Sequence, residues 1–122
     1  MPDVRFVQQN DKQILLIDLV DLSDYSAVPG LVEKAVRLAQ SSAGPGSVRT
    51  LIDLNGSRIN KEIVSSLKNL SKNNGRYAKA TAFVGLGKGW SLLLTLMFRA
   101  RGKDNHKVLT SRQEALRWLE KW

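Results

Sequence analysis

Short apolar runs alternate with segments of helical periodicity along this chain of 122 residues. The first two runs follow one another across the turn-like stretch QNDK, which predicts a β-hairpin. Each later run is separated from the next by enough residues for a helix, and such strand–helix–strand units form parallel sheets through right-handed crossovers. The predicted strands are Val4–Gln8, Gln13–Asp18, Val48–Leu54, Lys79–Gly85 and Lys107–Leu109. The order ββαβαβαβα therefore predicts an α/β fold, with a mixed, mainly parallel five-stranded sheet flanked by four helices.

Four segments repeat apolar residues at helical spacing. They begin near Val28, Asn60, Trp90 and Ser111. Pro29 is tolerated in a first helical turn, Asn60 is a candidate N-cap, and Ser111 with Glu114 forms a capping-box pattern. The second helix is expected to end near Gly75. With 43% hydrophobic residues, the chain is long enough for one continuous core, so residues 1–122 are predicted to form a single domain.

The positive charge of the chain is concentrated in its second half. Residues 1–57 carry a net charge of −2 and residues 58–122 carry +10, which gives the total of +8. Such asymmetry is typical of a surface for nucleic acid, anionic lipid or an acidic partner, and equally of a solvated basic face. The tract SLKNLSKNNGRYAKA is basic, but it holds one aromatic residue and no nucleic-acid module signature. Nucleic acid therefore stays open only as the less favoured partner.

Residue types that carry much enzyme chemistry are scarce. The chain has no cysteine and one histidine, His106, which excludes disulfides, thiolate catalysis and sites built from clustered histidine and cysteine. No nucleophile motif accompanies His106, and KDNHKV is interpreted as a polar turn before the last strand. Asp53 ends a buried strand, so we expect its carboxylate to cap the neighbouring loop. The sequence predicts no catalytic activity, no metal and no cofactor.

The chain also shows no targeting or membrane-spanning signal. Its N-terminal residues lack the apolar stretch of a signal peptide. The longest apolar run, Trp90–Phe98, is far shorter than the roughly 20 residues that a spanning helix needs. We therefore expect a cytoplasmic protein, with peripheral contact to a membrane as an open addition.

Three alternating glycines, Gly85, Gly87 and Gly89, lie between the fourth strand and the third helix. Glycines at a helix N-terminus let an anion approach backbone N–H groups. The spacing is not the G-x-G-x-x-G of dinucleotide folds, and Lys88 is followed by Gly89 instead of the serine or threonine that follows the Gly-Lys pair of a P-loop. A tight turn without a nucleotide is the favoured interpretation.

The loops after the third and fourth strands form the predicted functional surface, because ligands of open α/β sheets gather at the carboxyl ends of the strands. These loops and the helix starts that follow them are rich in hydrogen-bond donors and poor in acids and bases. Their candidate partner- or ligand-binding residues are Asn55, Ser57, Arg58, Asn60, Lys61, Gly87, Lys88 and Trp90.

The predicted third helix, Trp90–Arg101, is apolar on more than one face and ends in a basic segment containing Arg99, Arg101 and Lys103. A helix of this kind is usually buried in the core or covered by a second subunit. The alternative is that it binds an apolar ligand or an anionic membrane surface, with its basic end at the headgroups. Arg99 and Arg101 complete the candidate binding residues.

The order ββαβαβαβα, the stretch TLIDLNG leading into KEIVSSLKNLSKNNGRYAKATAFVGLGKGWSLLL, and the ending TSRQEALRWLEKW resemble the SpoIIAA-like proteins. These are small stand-alone bacterial relatives of the STAS domain. The resemblance covers Val48–Trp122 most clearly and the first half in outline. It implies a mixed sheet flanked by helices and a surface for protein or small-ligand binding near the start of the helix after the third strand.

Better-known relatives of this family switch partners when a serine at the start of that helix is phosphorylated. Counting from Asp53 places Asn60 and Lys61 at this position, and neither carries a hydroxyl. Ser57 comes too early, and Ser65 and Ser66 lie inside the predicted helix. The resemblance therefore implies the binding surface without the usual phosphorylation switch.

Two functional hypotheses follow. The first is a non-catalytic, STAS-like regulatory module that contacts a protein partner or a second copy of itself through the loops after strands three and four. The second is reversible binding of a lipid-like, apolar or anionic ligand, or of a membrane surface, through the third helix and its basic end.

Overall fold

The computed structural model of the protein describes residues 2–41, 44, 46–74, 77–87, 89–92, 95 and 105–122. Its strands are β1 (Asp3–Gln9), β2 (Lys12–Asp18), β3 (Val48–Asp53), β4 (Ala78–Val84) and β5 (His106–Leu109). Its helices are α1 (Val28–Gln40), α2 (Lys61–Asn74), α3 (described at 89–92 and 95) and α4 (Arg112–Glu120). The predicted order ββαβαβαβα is confirmed.

The five strands form one sheet in the order β1-β2-β3-β4-β5, so every strand lies beside its neighbour in sequence. β1 and β2 pair antiparallel, and the remaining pairs are parallel. The hairpin turns at Asn10, whose φ of 56° lies in the left-handed region that asparagine tolerates. The sheet is therefore mixed and mainly parallel, as the sequence predicts.

Helices cover both faces of the sheet and divide the core into two layers. On one face, Leu15 and Ile17 of β2 lie in a buried cluster with Ile63 and Leu67 of α2. On the other face, α4 packs against the strands, and its buried residues join a second cluster. The members of that second cluster are Ile14, Leu16, Leu51, Ala80, Ala82, Val84, Ala115 and Leu119. Because both faces are covered, β2 is buried at four consecutive residues, a run typical of parallel strands.

Backbone hydrogen bonds continue beyond the carboxyl ends of the parallel strands and join their loops. The N–H of Leu19 donates to the carbonyl of Asp53 over 2.9 Å, and the N–H of Leu54 donates to the carbonyl of Val84 over 2.8 Å. The N–H of Asp21 also donates to the carbonyl of Asn55. The segments after β2, β3 and β4 therefore form one connected edge, which positions the candidate site.

One local expectation needs correction, and one element was not predicted. His106, expected in a polar turn, is the first residue of β5 and pairs with Thr81. Asn105, the residue before β5, donates from its side-chain amide to the carbonyl of Lys79 over 3.0 Å. In addition, a 3₁₀ turn at Tyr25–Ala27 precedes α1, and the Asp24 carboxylate caps it by accepting from the N–H of Ser26. The sequence pattern predicts no element at that position.

The predicted helix Trp90–Arg101 is described only at its beginning. Residues 90–92 and 95 are helical, and the remaining positions of this prediction, including its basic end, lie outside the described residues. Within the described part of the chain, no helix has both the length and the apolar character required to cross a bilayer.

Candidate functional site

Ser57 joins the loop after β3 to the loop after β2. Its hydroxyl accepts a hydrogen bond from the N–H of Leu22 over 2.7 Å and donates one to the carbonyl of Leu19. The N–H of Ser57 donates to the carbonyl of Leu54 over 3.0 Å, which closes a turn. Both hydrogen-bonding directions of the hydroxyl are thus used within the protein, so Ser57 shapes this edge of the sheet.

Asp53 caps the loop that follows it, as expected from its place at the end of a buried strand. One of its carboxylate oxygens accepts from the N–H of Asn55 over 3.1 Å. The other oxygen has a partner that the sequence analysis did not find: Arg112, in the first turn of α4, donates to it from Nε over 2.7 Å. A second guanidinium nitrogen of Arg112 lies 3.3 Å from Asp18 at the end of β2.

The pKa of Arg112 reflects these two carboxylates. Partial burial alone would lower the pKa of the guanidinium, since burial disfavours a charge. The hydrogen bond from Arg112 to Asp53 and the negative charges of Asp53 and Asp18 outweigh this effect, and the pKa of Arg112 is raised. The two carboxylates are therefore occupied by Arg112 and by backbone N–H groups.

The loop after β4 approaches the loop after β3 very closely at Gly85. This glycine has a φ of +88°, and a Cβ atom placed on it would lie 2.5 Å from the backbone nitrogen of Asn55. Gly87 differs, because a Cβ there meets no atom within 4 Å. The carbonyl of Gly87 accepts from the N–H of Ser91 over 2.9 Å and so starts α3, in which Trp90 is half-buried.

The start of α2 presents the charged members of the predicted surface. The Asn60 side-chain oxygen accepts from the N–H of Ile63 over 2.9 Å, which confirms its predicted role as N-cap. Arg58 and Lys61 on either side of this cap have exposed side chains. The carbonyl of Arg58 accepts from the hydroxyl of Tyr25 over 2.8 Å, which attaches the 3₁₀ turn to this loop.

A groove separates the 3₁₀ turn and the start of α1 from the first two turns of α2. It encloses about 420 Å³ and is open to solvent. Its walls are lined by Tyr25, Ser26, Val28, Pro29, Lys61, Glu62, Ile63, Ser65 and Ser66. Its floor is apolar and its rim carries hydroxyls and one charge of each sign, a combination suited to binding a partly apolar ligand or peptide.

The structure brings only some of the predicted residues together. Asn55, Ser57, Arg58, Asn60 and Lys61 share the loop after β3 and the start of α2, and Gly87 and Trp90 belong to the neighbouring loop and α3. Lys88, Arg99 and Arg101 lie outside the described residues. Of the predicted residues that the structure describes, Lys61 is the one that lines the groove.

Sequence reasoning missed the wall of the groove that comes from the first half of the chain. The available signals were Pro29 in the first turn of α1 and the Asp24–Ser26 pair that caps the 3₁₀ turn. The hydrogen bonds from Ser26 hold the pKa of Asp24 below its ordinary value.

Among the residues that the structure describes, no three histidine, aspartate or glutamate side chains are grouped so as to hold a metal ion.

No protein-family model and no curated protein sequence matches this chain significantly. Solved structures do resemble it over nearly its full length. A protein of the DUF3478 family from Shewanella loihica PV-4, described as uncharacterised and as having a SpoIIAA-like fold, matches with a TM-score of 0.65 at 19% identity. The match covers 95% of this chain and 91% of that one.

Two further structures show the same similarity. An anti-sigma-factor antagonist (STAS) domain protein from Planctomyces limnophilus matches with a TM-score of 0.64 at 15% identity and covers 98% of both chains. A serine-to-glutamate variant of RsbS from Moorella thermoacetica matches with a TM-score of 0.65 at 17% identity, over 97% of this chain and 95% of that one. At these identities the similarity concerns the fold, and the resemblance predicted from the sequence is confirmed at that level: this chain has the SpoIIAA-like fold of STAS-domain proteins.

Proposed function

We propose that the protein is a non-catalytic regulatory module that binds a partner protein at the groove and at the loops after β3 and β4. The observation that carries this proposal is the groove itself, an opening of about 420 Å³ between the 3₁₀ turn and α2 with an apolar floor and a polar rim. Such an opening accepts an apolar side chain of a partner while its rim forms hydrogen bonds at the edge.

The rigidity of this surface supports the proposal. Asn60 caps α2, Tyr25 is bonded to the carbonyl of Arg58, and Ser57 fixes the preceding loop. A surface held by such hydrogen bonds loses little conformational freedom on binding, which favours affinity. Proteins with the same fold include one described as an anti-sigma-factor antagonist, which is consistent with a regulatory role.

The chemistry of the surface favours binding over catalysis. The Asp53 and Asp18 carboxylates at the strand ends are paired with Arg112, and the Ser57 hydroxyl is bonded in both directions. We therefore propose that no reaction takes place at this edge and that the protein acts in the cytoplasm through its contacts alone. The partner is a different protein or a second copy of this chain.

The proposal is tested by closing the groove. Ser65 is exposed on α2 and lines the groove, so Ser65→Trp is expected to fill it without disturbing the core. Gln113→Trp, at an exposed position of α4, is the matched control. Affinity capture from the native organism identifies partners, and titration calorimetry with each purified partner gives its Kd.

We expect Ser65→Trp to weaken binding at least tenfold, about 1.4 kcal/mol, and Gln113→Trp to leave the Kd unchanged within a factor of two. Partners that bind Ser65→Trp as tightly as the wild type, or a chain that captures none, contradict the proposal.

A second candidate function is lipid or membrane binding through α3, and one observation favours it. Leu92, in the first turn of this helix, is 62% exposed, so it offers an apolar side chain to solvent or to a lipid surface. Co-sedimentation with vesicles of phosphatidylcholine and phosphatidylglycerol tests this function. Binding that is lost in Leu92→Ser and at high salt supports it, whereas a protein that stays in the supernatant at low salt rules it out.

A further inference from the structure

The outer face of α2 carries three lysines in a line. Lys61, Lys68 and Lys72 are all exposed, and Ser65 lies between the first two. At 3.6 residues per turn these four positions fall within about 60° of arc, and the first and last lysines are separated by about 16 Å along the helix axis. We refer to Lys61, Lys68 and Lys72 as the lysine stripe.

The lysine stripe is not neutralised by the rest of the described structure. There, the ion pairs join Arg5 to Asp18, Lys34 to Asp3, and Arg112 to both Asp18 and Asp53, and none includes a stripe lysine. The acidic residue of α2, Glu62, precedes Lys68 by six residues and Lys72 by ten, so it lies on another face of the helix.

Lys68 and Lys72, by contrast, are four residues apart, where like charges destabilise a helix. The fold therefore carries a small electrostatic penalty here that a negatively charged partner would relieve.

The stripe is continuous with the groove. Lys61 and Ser65 belong to both, because they line the groove and also begin the line that leads to Lys68 and Lys72. The result is one elongated surface, with an apolar opening at the N-terminal end of α2 and a row of ammonium groups toward its C-terminal end. Its length corresponds to about three turns of a second helix.

We propose that this surface binds an acidic amphipathic helix of a partner protein, with an apolar side chain in the groove and carboxylates facing Lys68 and Lys72. The inference rests on the proposed function and names the chemistry of the partner. A helix that lies in an apolar groove is recognised through its own side chains spaced three, four and seven residues apart, so a glutamate at such a distance from the apolar residue lies on the same face and can meet the stripe.

The charges around the groove favour such a helix over a uniform polyanion. Glu62 lines the groove, and Asp24 caps the adjacent 3₁₀ turn with a carboxylate whose pKa is held low by Ser26. A nucleic acid or an anionic bilayer carries phosphates along its whole length, and at this end Glu62 and Asp24 offset the attraction that Lys61 would give to them. An acidic helix loses nothing there, because it presents an apolar residue to the groove.

The experiment uses a synthetic helical peptide of 18 residues with glutamates spaced to face the stripe and one leucine placed to enter the groove. A peptide of the same composition in scrambled order is its control. Both are titrated into the ¹⁵N-labelled protein at low and moderate salt, and amide shift changes are mapped by NMR. We expect the designed peptide to shift amides of α2 and of the 3₁₀ turn, and to bind at least tenfold more tightly than the scrambled one.

Two charge-reversal variants distinguish binding by the stripe from an effect of the net charge of the protein. Lys68→Glu/Lys72→Glu reverses the two stripe charges that lie outside the groove. Lys107→Glu/Lys121→Glu makes the same change of net charge elsewhere, because Lys107 is exposed on β5 and Lys121 is exposed directly after α4. We expect the first pair to weaken peptide binding at least tenfold and the second pair to weaken it less than threefold.

Equal binding of the scrambled peptide, or equal effects of the two pairs, overturns the inference. So does tighter stripe-dependent binding of a 20-base-pair DNA duplex or of phosphatidylglycerol vesicles than of the designed peptide.

The same variants keep this inference distinct from the proposed function. If a native partner does not bind Ser65→Trp but still binds Lys68→Glu/Lys72→Glu, the proposed regulatory module is supported. The same result refutes the inference that the partner binds through an acidic helix. A chain that captures no native partner but binds the designed peptide through the stripe refutes the regulatory assignment and retains the recognition chemistry.

Discussion

Arg112 and Asp53, 59 residues apart in sequence, are joined by a hydrogen bond of 2.7 Å between Nε and a carboxylate oxygen. The Asp53 side chain is 3% exposed, so its charge lies almost entirely out of water. The same guanidinium lies 3.3 Å from Asp18. One arginine at the start of α4 thus bridges the carboxylates that end two adjacent parallel strands and attaches the helix to the sheet.

Replacing Arg112 with methionine is expected to lower the free energy of unfolding by about 2–4 kcal/mol, because the buried Asp53 carboxylate loses its counter-charge. Arg117→Met, at an exposed position of the same helix, is the control and should change stability by no more than about 0.5 kcal/mol. Urea unfolding followed by circular dichroism measures both.

A double-mutant cycle attributes the effect of the Arg112 variant to the ion pair. In the Asp53→Asn background no buried charge is left unpaired, so Arg112→Met should cost about 1–2 kcal/mol less than it does in the wild type. Additive effects of the two substitutions would show that Arg112 acts by packing alone.

Gly85→Ala should destabilise the protein by about 3 kcal/mol or more, because the added Cβ would meet the backbone of Asn55 at 2.5 Å and the residue has a left-handed φ of +88°. Gly87→Ala, two residues later, has open space around its Cβ and is expected to be neutral or stabilising by up to about 1 kcal/mol. Thermal unfolding of the two variants side by side tests this contrast, and a similar loss in both would refute the close approach of the two loops.

Ser57→Ala removes one hydroxyl that serves two backbone groups, the N–H of Leu22 and the carbonyl of Leu19. We expect a loss of about 1–2 kcal/mol and faster hydrogen exchange at the Leu22 amide, since that donor loses its acceptor. Ser23→Ala, at an exposed position beside Leu22, provides the control. Unchanged exchange at Leu22 in Ser57→Ala would mean that water replaces the hydroxyl without cost.

Glu120 links the stability of the fold to pH. Its carboxylate accepts hydrogen bonds from Gln9, over 3.2 Å, and from Asn10, and these bonds hold the pKa of Glu120 below its ordinary value of 4.5. A carboxyl group whose pKa is lowered by folding stabilises the protein fully above its unfolded pKa, and this contribution is lost as the pH falls through the folded pKa.

Glu120→Gln should therefore be less stable than the wild type at pH 7, and the difference should shrink below about pH 4.5 as Glu120 becomes protonated. Urea unfolding at pH 7, 5 and 3.5 measures this convergence. Glu33→Gln, an exposed substitution on α1, is expected to show no such pattern. A difference between Glu120→Gln and the wild type that stays constant across the pH range would exclude the carboxylate as its source.

Local signals in the sequence are sufficient for the framework of the fold. The order of strands and helices follows from apolar periodicity, and the N-caps at Asn60 and Ser111 follow from side chains that bond within three residues. The capping role of Asp53 is likewise local, because its acceptor bond reaches only to Asn55. These features depend on neighbours along the chain, and the neighbours are visible in one sequence.

The parts that escaped prediction depend on residues far apart in the chain. Arg112 meets Asp53 across 59 positions, and Tyr25 meets the Arg58 carbonyl across 33. The groove exists only because the 3₁₀ turn packs beside α2, and the apolar periodicity of the sequence does not predict that contact. A single sequence without related sequences does not reveal such pairs. The residues of the loops after β3 and β4 were therefore predicted, whereas the groove wall formed by the 3₁₀ turn and the start of α1 was not.

The arrangement of helices on the sheet also sets an order of events during synthesis. Strands β1 to β4 add to the sheet one beside the next, and α1 and α2 can cover their face as soon as each strand is made. Among the described residues, the helical cover of the opposite face, with Ile14, Leu16, Leu51 and Val84, comes from α4, the last element to be made. A nascent chain that has completed β5 therefore still lacks the part of this cover that α4 provides, and it gains that part only when α4 docks and Arg112 reaches Asp53.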